Sequence, residues 1–135
     1  MSQENVTALQ RAVEAATRRN LDALLKYLDP QVEWHSAILA PLRGDATVYR
    51  GHDGIPLMFQ DFYDVFEAID VDISKTHDLG DRVVAIGRIR TRGKESGAET
   101  ESPWAYVAEF KNGKAIRIRT YLEPKEALKA AGLSE

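Results

Sequence analysis

The sequence predicts an α+β fold, in which helices from the first half of the chain cover a curved, mostly antiparallel β-sheet. Apolar residues recur every three or four positions through residues 5–28, which is typical of amphipathic helices. Four strand-like segments then follow one another between residues 68 and 123, with turn residues between them. Because helices and strands occupy separate blocks of the chain, α+β is favoured over an alternating α/β fold.

The composition is that of a single globular domain. The 135 residues suffice for one core but not for two, so we assign residues 1–135 to one domain. The net charge of -3 argues against nucleic-acid binding, which requires a basic face. The absence of cysteine excludes disulfides, thiolate metal sites and cysteine nucleophiles. With no signal sequence and no apolar run of bilayer length, we expect a cytoplasmic protein without a membrane partner.

The first helical region contains a corner. The apolar spacing breaks at Arg18-Arg19-Asn20 and restarts at Leu21, which predicts two helices rather than one straight rod. Asn20 is a good N-cap for the second helix, and Asp29-Pro30 is expected to end it. A third helix is expected to begin near Asp53, which would serve as its N-cap.

The other segments are predicted as strands, turns and one loop. Val32–His35 alternates as a short strand does, and residues 36–50 after it are expected to form a functional or mobile loop. Later strands are predicted at about 68–76, 82–92, 99–111 and 114–123. Asn112-Gly113 is a strong signal for a two-residue hairpin, and a last helical turn is expected at residues 125–131.

Four stretches of the chain are recognisable as motifs. They are Tyr49 through Ile55, Gly93 through Gly97, Asn112 through Arg117, and Glu126 through Gly132. Together with the element order they resemble the nuclear transport factor 2-like (cystatin-like) superfold, and within it the SnoaL-like family. The resemblance implies a cone-shaped mixed sheet packed against three helices. It also implies an apolar pocket for a small hydrophobic, polyketide-like or steroid-like ligand, a homodimer through the outer sheet face, and no cofactor.

Strand alternation sorts the side chains of the last two strands into two faces. One set, which the resemblance implies faces the pocket, comprises Trp104, Tyr106, Ala108, Phe110, Ile116, Ile118, Thr120 and Leu122. The other set comprises Ala105, Val107, Glu109, Arg117, Arg119 and Tyr121. A β-bulge would reverse this assignment over part of a strand.

The carboxylates used by known enzymes of this fold are missing at the matching positions. The resemblance to ketosteroid isomerases puts Ala12, Trp34 and Tyr106 where those enzymes have a tyrosine and two aspartates. For the epoxide hydrolases, Arg88 and Arg90 could point inward, but the sequence indicates no aspartate between or opposite them. The strand that carries Tyr106 also lacks the aspartate of the polyketide cyclases. Since this fold also includes non-enzymatic binders, the fold alone does not decide the function.

His35 is the strongest candidate for a catalytic group, because an unperturbed histidine titrates near neutral pH. It would act as a base, with Tyr106 and Arg90 as donors to a developing oxyanion. The alternative is a packed, hydrogen-bonded histidine without a catalytic role. The remaining candidate ligand-binding residues, whose aromatic members could equally belong to the core, are Trp34, Trp104, Tyr63, Ile118, Thr120 and Phe59. No metal site is expected, since the three histidines are far apart in sequence.

Three functions therefore stay open. The chain is an acid-base enzyme of the isomerase, cyclase or hydrolase type, a non-catalytic small-molecule binder, or a dimerisation module. The arginines of residues 88–92, with Arg117 and Arg119, either hold an anionic substrate or pair with glutamates across strands. We prefer the cross-strand pairing, because opposite charges on neighbouring strands stabilise a sheet.

Overall fold

The structure, a computed structural model, describes residues 2–133. The helices are α1 (Ser2–Thr17), α2 (Leu21–Leu25), α3 (Ala40–Arg43), α4 (Gly51–Val65) and α5 (Pro124–Ala130). The strands are β1 (Leu28–Ser36), β2 (Thr47–Arg50), β3 (Phe66–Asp78), β4 (Arg82–Gly93), β5 (Glu99–Lys111) and β6 (Lys114–Tyr121). The predicted α+β class is confirmed. Within residues 2–133, no helix is both long and apolar enough to cross a membrane.

The strands form one mixed sheet in the order β2-β1-β6-β5-β4-β3. The β1–β6 pair is parallel, and every other neighbouring pair is antiparallel. The sheet is curved and does not close, so β2 and β3 form its edges. Because the first strand of the chain lies beside the last, Trp34 of β1 is brought opposite Ile118 of β6.

Three helices of the first half of the chain cover the concave, inner face of the sheet. Leu9 of α1, Leu24 of α2 and Met58 of α4 are each at most 1% exposed and share one core with the inward side chains of the strands. This arrangement is the one that the family resemblance implied. The fifth helix, α5, lies on the opposite face, where Ala127 packs with Val84 in a second, smaller cluster.

The predicted corner between the first two helices is confirmed. The Asn20 side chain caps α2 by accepting a hydrogen bond from the Ala23 amide at 3.1 Å. The predicted end of this helix is wrong, because α2 ends at Leu25 and residues 29–30 already belong to β1. Pro30 is tolerated there since the pairing of β1 with β6 is interrupted between Leu28 and Glu33, where no amide donor is needed.

Residues 36–50 are not the long loop that the sequence predicted. They contain α3 and the short edge strand β2, which pairs antiparallel with β1. Leu39, which is 1% exposed, anchors this segment in the protein. The following helix, α4, has Arg50 as its N-cap, so the N-cap assignment of Asp53 is wrong. Asp53 lies instead in the first turn, where a carboxylate interacts favourably with the helix dipole.

A bulge and a glycine bend the sheet at the same place. The pairing of β3 with β4 shifts between Ile73 and Lys75, which leaves Ser74 as the extra residue. On β4, the backbone at Gly87 lies so close to the Asp72 carbonyl group that a Cβ atom there would collide with it. Bulges and glycines of this kind are the usual means by which sheets curve.

The β5–β6 hairpin confirms one prediction and corrects another. Asn112 and Gly113 both have positive φ angles, of 54° and 80°, as a two-residue hairpin of the predicted type requires. The register shifts next to this turn, between Glu109 and Phe110. Ala115, which is 2% exposed, therefore takes the core position that the simple alternation assigned to Ile116.

Candidate functional site

A small apolar cavity, here called the inner cavity, lies between the inner face of the sheet and helices α1 and α4. Its volume is about 50 Å³. Six aromatic residues line it: Trp34, Phe59, Phe62, Tyr63, Trp104 and Tyr106. Six aliphatic residues complete its apolar wall: Ala16, Ile38, Met58, Ile69, Val71 and Ile89. The polar wall consists of three hydroxyl-bearing residues: Thr17, Ser36 and Thr120.

A larger cleft, here called the outer groove, adjoins the inner cavity. Its volume is about 640 Å³. Ile38, Ile89 and Trp104 line both spaces, so the groove and the cavity meet at these three side chains. The rim of the groove includes Leu42 of α3, which is 68% exposed, and Leu122. The other wall of the groove is formed by the turn at residues 93–98 and by the amino-terminal half of β5.

Hydrogen bonds fix the polar wall of the inner cavity. The Thr120 hydroxyl accepts a hydrogen bond from the Ala37 amide at 2.8 Å and lies 3.4 Å from the His35 carbonyl oxygen, to which it donates. The Ser36 hydroxyl accepts one from the Ile38 amide at 3.3 Å. These bonds hold the chain where it leaves β1 and position Ile38 between the cavity and the groove.

Tyr63 is held at the cavity wall by Arg19. The Arg19 guanidinium lies 3.4 Å from the centre of the Tyr63 ring, in a cation–π contact. It also donates a hydrogen bond to the Glu67 carbonyl oxygen at 2.9 Å. Because Arg19 is exposed, this contact stabilises the arrangement by only about 0.5–1 kcal/mol. Its main effect is to fix the orientation of the ring.

Tyr106 is a hydrogen-bond donor rather than a base. Burial raises the pKa of Tyr106 to about 12, against a smaller opposite effect of the Trp104 side chain. Its phenol is therefore neutral near pH 7, since an unperturbed tyrosine already titrates near pH ~10. The neighbour that acts on its hydroxyl group is the Trp104 side chain.

Trp104 carries an unpaired donor. Its ring lies edge-on to Tyr106, with the ring centres 6.2 Å apart and an interplanar angle of 89°. The residue is 3% exposed, and its indole Nε1 is the one buried side-chain nitrogen or oxygen in the described part of the chain without a hydrogen-bond partner. The indole approaches the phenol closely enough to affect its pKa, but the two groups do not form a hydrogen bond with acceptable geometry.

The inner cavity has no group suited to proton transfer near neutral pH. None of the fifteen side chains that line it in the described structure is Asp, Glu, His, Lys or Arg. Across residues 2–133 there is also no group of three or more histidines and carboxylates that could hold a metal ion. The cavity can exclude water, bind apolar surface and donate hydrogen bonds.

His35 does not lie in the cavity, so the predicted pocket position is wrong. It follows Trp34 on β1 and therefore projects from the opposite, outer face of the sheet. Its Nε2 atom is 3.2 Å from the Glu33 carboxylate. That hydrogen bond, together with the charges of Arg50 and Arg117, holds the pKa of Glu33 below its ordinary value.

Arg90 is also on the outer face, and its predicted pocket position is wrong. Its guanidinium forms ion pairs with Asp70 and, at 2.9 Å, with Asp72. Asp70 is the direct cross-strand partner of Arg90, so the inference that no aspartate lies opposite this arginine is wrong as well. The alternation on β4 places the intervening Ile89 in the core and Arg90 outside.

The preferred cross-strand pairing with glutamates is confirmed for Arg88, Arg92 and Arg117 on the outer face, but Arg90 pairs with aspartates and Arg119 forms no ion pair within the described residues. Arg88 pairs with Glu101 at 2.8 Å, and Arg92 pairs with Glu99 at the same distance. Arg117 lies 3.2 Å from Glu109. Pairs this exposed contribute little individually to stability.

Six of the predicted binding residues lie together at the inner cavity: Trp34, Phe59, Tyr63, Trp104, Tyr106 and Thr120. Ile118 does not line the cavity; it is 1% exposed and belongs to the core behind it. Phe62, which the sequence offered with Phe59 as part of a possible aromatic cage or of the core, also lines the cavity. Sequence reasoning missed Met58 as a cavity residue. It also missed Ile69 and Val71 of β3, although they alternate onto one face of that strand.

The sequence profile of the SnoaL-like domain matches residues 9–118. The chain belongs to the SnoaL-like domain family. This match confirms the family resemblance that the sequence motifs of this SnoaL-like domain indicated. Comparison with curated protein sequences gives no match.

Solved structures share the fold of this SnoaL-like domain at low sequence identity. An NTF2-like protein of unknown function from Burkholderia pseudomallei K96243 superposes with a TM-score of 0.80 at 21% identity, over 93% of this chain and 95% of that one. TerC, co-crystallised with polyporic acid, gives a TM-score of 0.80 at 20% identity, over 96% and 97%. A protein with a ketosteroid isomerase-like fold from Catenulispora acidiphila DSM 44928, in complex with trimethylamine, gives 0.74 at 17%, over 93% and 92%.

Proposed function

We propose that this SnoaL-like domain binds a small, largely apolar molecule across the junction of the inner cavity and the outer groove. The observation that carries the proposal is that Trp104, Ile38 and Ile89 line both spaces. The inner cavity of about 50 Å³ is too small for a polyketide-like or steroid-like molecule. The groove of about 640 Å³ lies within the range of roughly 300–1,000 Å³ that is usual for ligand sites.

The geometry favours binding over acid-base catalysis at His35. A base has to come within hydrogen-bond reach of the proton that it removes, and His35 lies on the other side of the sheet. Tyr106 is at the cavity, but its raised pKa makes it a poor base near neutral pH. The co-crystallisation of TerC with polyporic acid is consistent with a binding role for this fold.

Narrowing the groove beside Trp104 tests the proposal. Ser102 lines the groove two residues from Trp104, so Ser102→Trp should fill the space at the junction. Binding of the neutral fluorescent probe N-phenyl-1-naphthylamine should weaken at least about tenfold, which corresponds to a loss of about 1.4 kcal/mol. The matched control is Glu101→Trp, since Glu101 is on the outer face and pairs with Arg88.

The control variant should bind the probe as the wild type does, and circular dichroism should show both variants folded. Equal affinity of Ser102→Trp and the wild type would show that the probe does not use the groove. Failure of the wild type to bind this probe or a panel of neutral bicyclic compounds would reject the binding function.

We further propose that a second copy of the chain packs on the outer sheet face beside α5. The Arg119 side chain, half-buried on this face, makes no ion pair or hydrogen bond within residues 2–133, which supports a contact from outside the chain. Light scattering after size exclusion should give twice the monomer mass, and Arg119→Glu should give the monomer. A wild-type monomer at all concentrations would reject the dimer. The cytoplasmic location stays a prediction from the sequence.

A further inference from the structure

The unpaired Trp104 indole gives information about the ligand itself. A buried donor without an acceptor destabilises a protein by about 1–3 kcal/mol, so such groups are rare and call for an explanation. Trp104 Nε1 is in this state within the described residues, and its side chain lies where the inner cavity meets the outer groove. A ligand at this junction is well placed to supply the acceptor.

The neighbouring hydroxyl groups do not accept a hydrogen bond from the Trp104 indole N–H. Thr120 and Ser36 already accept hydrogen bonds from backbone amides, at 2.8 Å and 3.3 Å. The Tyr106 hydroxyl interacts with the indole, which lowers the pKa of the phenol, but the edge-on rings do not reach hydrogen-bond geometry. The indole is a donor only, whereas the neutral phenol both accepts and donates, so a ligand acceptor at this wall meets two donor groups.

The uncharged lining of the inner cavity restricts the chemical type of acceptor that a ligand can place there. The fifteen residues that line the inner cavity in the described structure include no cation that could balance an anionic group. Burying an unpaired charge is far less favourable than burying a neutral carbonyl group that receives a hydrogen bond. Among the described residues that line the two spaces, charged ones occur only at the outer groove, where Asp64, Lys94 and Glu95 are exposed.

We propose that the ligand places one uncharged oxygen acceptor, of the ketone or ester carbonyl type, against the indole N–H of Trp104. The acceptor belongs to an apolar skeleton that fills the junction of cavity and groove, and any charged group of the ligand stays in the outer groove. This inference rests on the proposed binding function and adds the chemical class of the ligand to it.

Two probes that differ in a single functional group test the inference. Indane and 1-indanone have the same bicyclic skeleton, and only 1-indanone carries a carbonyl group. The full chain is labelled with ¹⁵N and titrated with each probe while the indole N–H signals of its two tryptophans are followed by NMR. Trp104→Phe assigns the signal of Trp104 by its disappearance.

Both probes should bind, but 1-indanone should move the Trp104 indole proton downfield of its position with indane, as hydrogen bonding to a carbonyl group does. In Trp104→Phe, the preference for 1-indanone over indane should fall by about five- to tenfold, the equivalent of one neutral hydrogen bond. A merely structural effect of the substitution would change the affinity for both probes equally and leave the preference unchanged.

An unchanged preference in Trp104→Phe, with both probes still bound, would overturn the inference and leave the binding function standing. The absence of any effect of either probe on the cavity residues would instead contradict the binding function, and the inference would fall with it. Tyr106→Phe separates the two donors, because a loss of preference in that variant alone would assign the acceptor to the phenol.

Discussion

Gly87 of β4 and the carbonyl group of Asp72 on β3 are in closer contact than any residue with a side chain would allow at position 87. The contact lies beside the bulge at Ser74, where the two strands shift their register by one residue. Trp104 is the cross-strand neighbour of Gly87 on β5. The bend that this contact permits therefore acts directly on the strand that carries the proposed ligand anchor.

Gly87→Ala should destabilise the protein by on the order of 2–4 kcal/mol, because the strands would have to separate at the bend. The loss is measured as the free energy of unfolding in urea. Gly44→Ala is the matched control: Gly44 has a φ angle of 92°, but no atom lies within 4 Å of the added Cβ. Its cost is limited to the backbone conformation, about 1 kcal/mol. Equal losses in the two variants would contradict the steric explanation.

Asn20→Ala should cost about 1 kcal/mol of stability, because it removes the side-chain cap of α2. A helix of five residues has few backbone hydrogen bonds of its own, so its first turn depends on the cap. Thermal unfolding followed by circular dichroism checks the loss. Asn20→Asp should retain most of the stability, and an Asn20→Ala protein as stable as the wild type would show that the cap is dispensable.

Asp61→Ala should destabilise the protein more than Tyr49→Phe, although both remove the same hydrogen bond of 2.7 Å. Tyr49 is 7% exposed, so loss of its acceptor leaves a buried hydroxyl unpaired, at about 1–3 kcal/mol. The Asp61 side chain is 35% exposed and can be hydrated when the hydroxyl is absent. Urea unfolding of both variants and of Asp64→Ala, a nearby exposed carboxylate on α4, gives the comparison. A larger loss of stability in Tyr49→Phe than in Asp61→Ala would contradict this explanation.

Stability should fall as the pH rises from about 10 to about 12, because Tyr106 titrates later in the folded chain than in the unfolded one. Burial raises its pKa to about 12, against about 10 in unfolded chains. Its contribution is complete below the unfolded pKa. At about pH 11 the expected loss from this residue is about 1.4 kcal/mol.

Tyr106→Phe should reduce the loss of unfolding free energy between about pH 8 and about pH 11. The pKa of Tyr49 is likewise raised to about 12, by burial and by Asp61. The double variant Tyr49→Phe with Tyr106→Phe should therefore show the smallest loss of unfolding free energy. Comparison with the wild type at each pH removes the general effect of alkali on lysine and other surface groups. If Tyr106→Phe loses as much stability as the wild type, burial does not control this titration.

The sequence by itself determined the local elements and the family. Asn20 as a cap and Asn112-Gly113 as a hairpin turn act through contacts within a few residues, so their structure follows from residue type and spacing. The alternation of β5 likewise put Trp104 and Tyr106 on one face, and the family resemblance implied that this face looks inward.

The tertiary structure alone decided which faces meet and where the regular patterns break. His35 and Arg90 were assigned to the pocket because each lies on a strand near it, and a single step of alternation moves such a residue to the other face. The partner of Arg90 is Asp70, which becomes visible only in the register of β3 with β4.

The bulge in the β5–β6 pair also changed which side chains face inward. Because of the shifted register, Ala115 lies in the core at the position that simple alternation assigned to Ile116. The junction of cavity and groove at Trp104 depends on β4, β5 and the segment after β1, which are far apart in the chain. Contacts between distant segments form only when the whole sheet curves around its core, and for that physical reason local sequence patterns do not determine them.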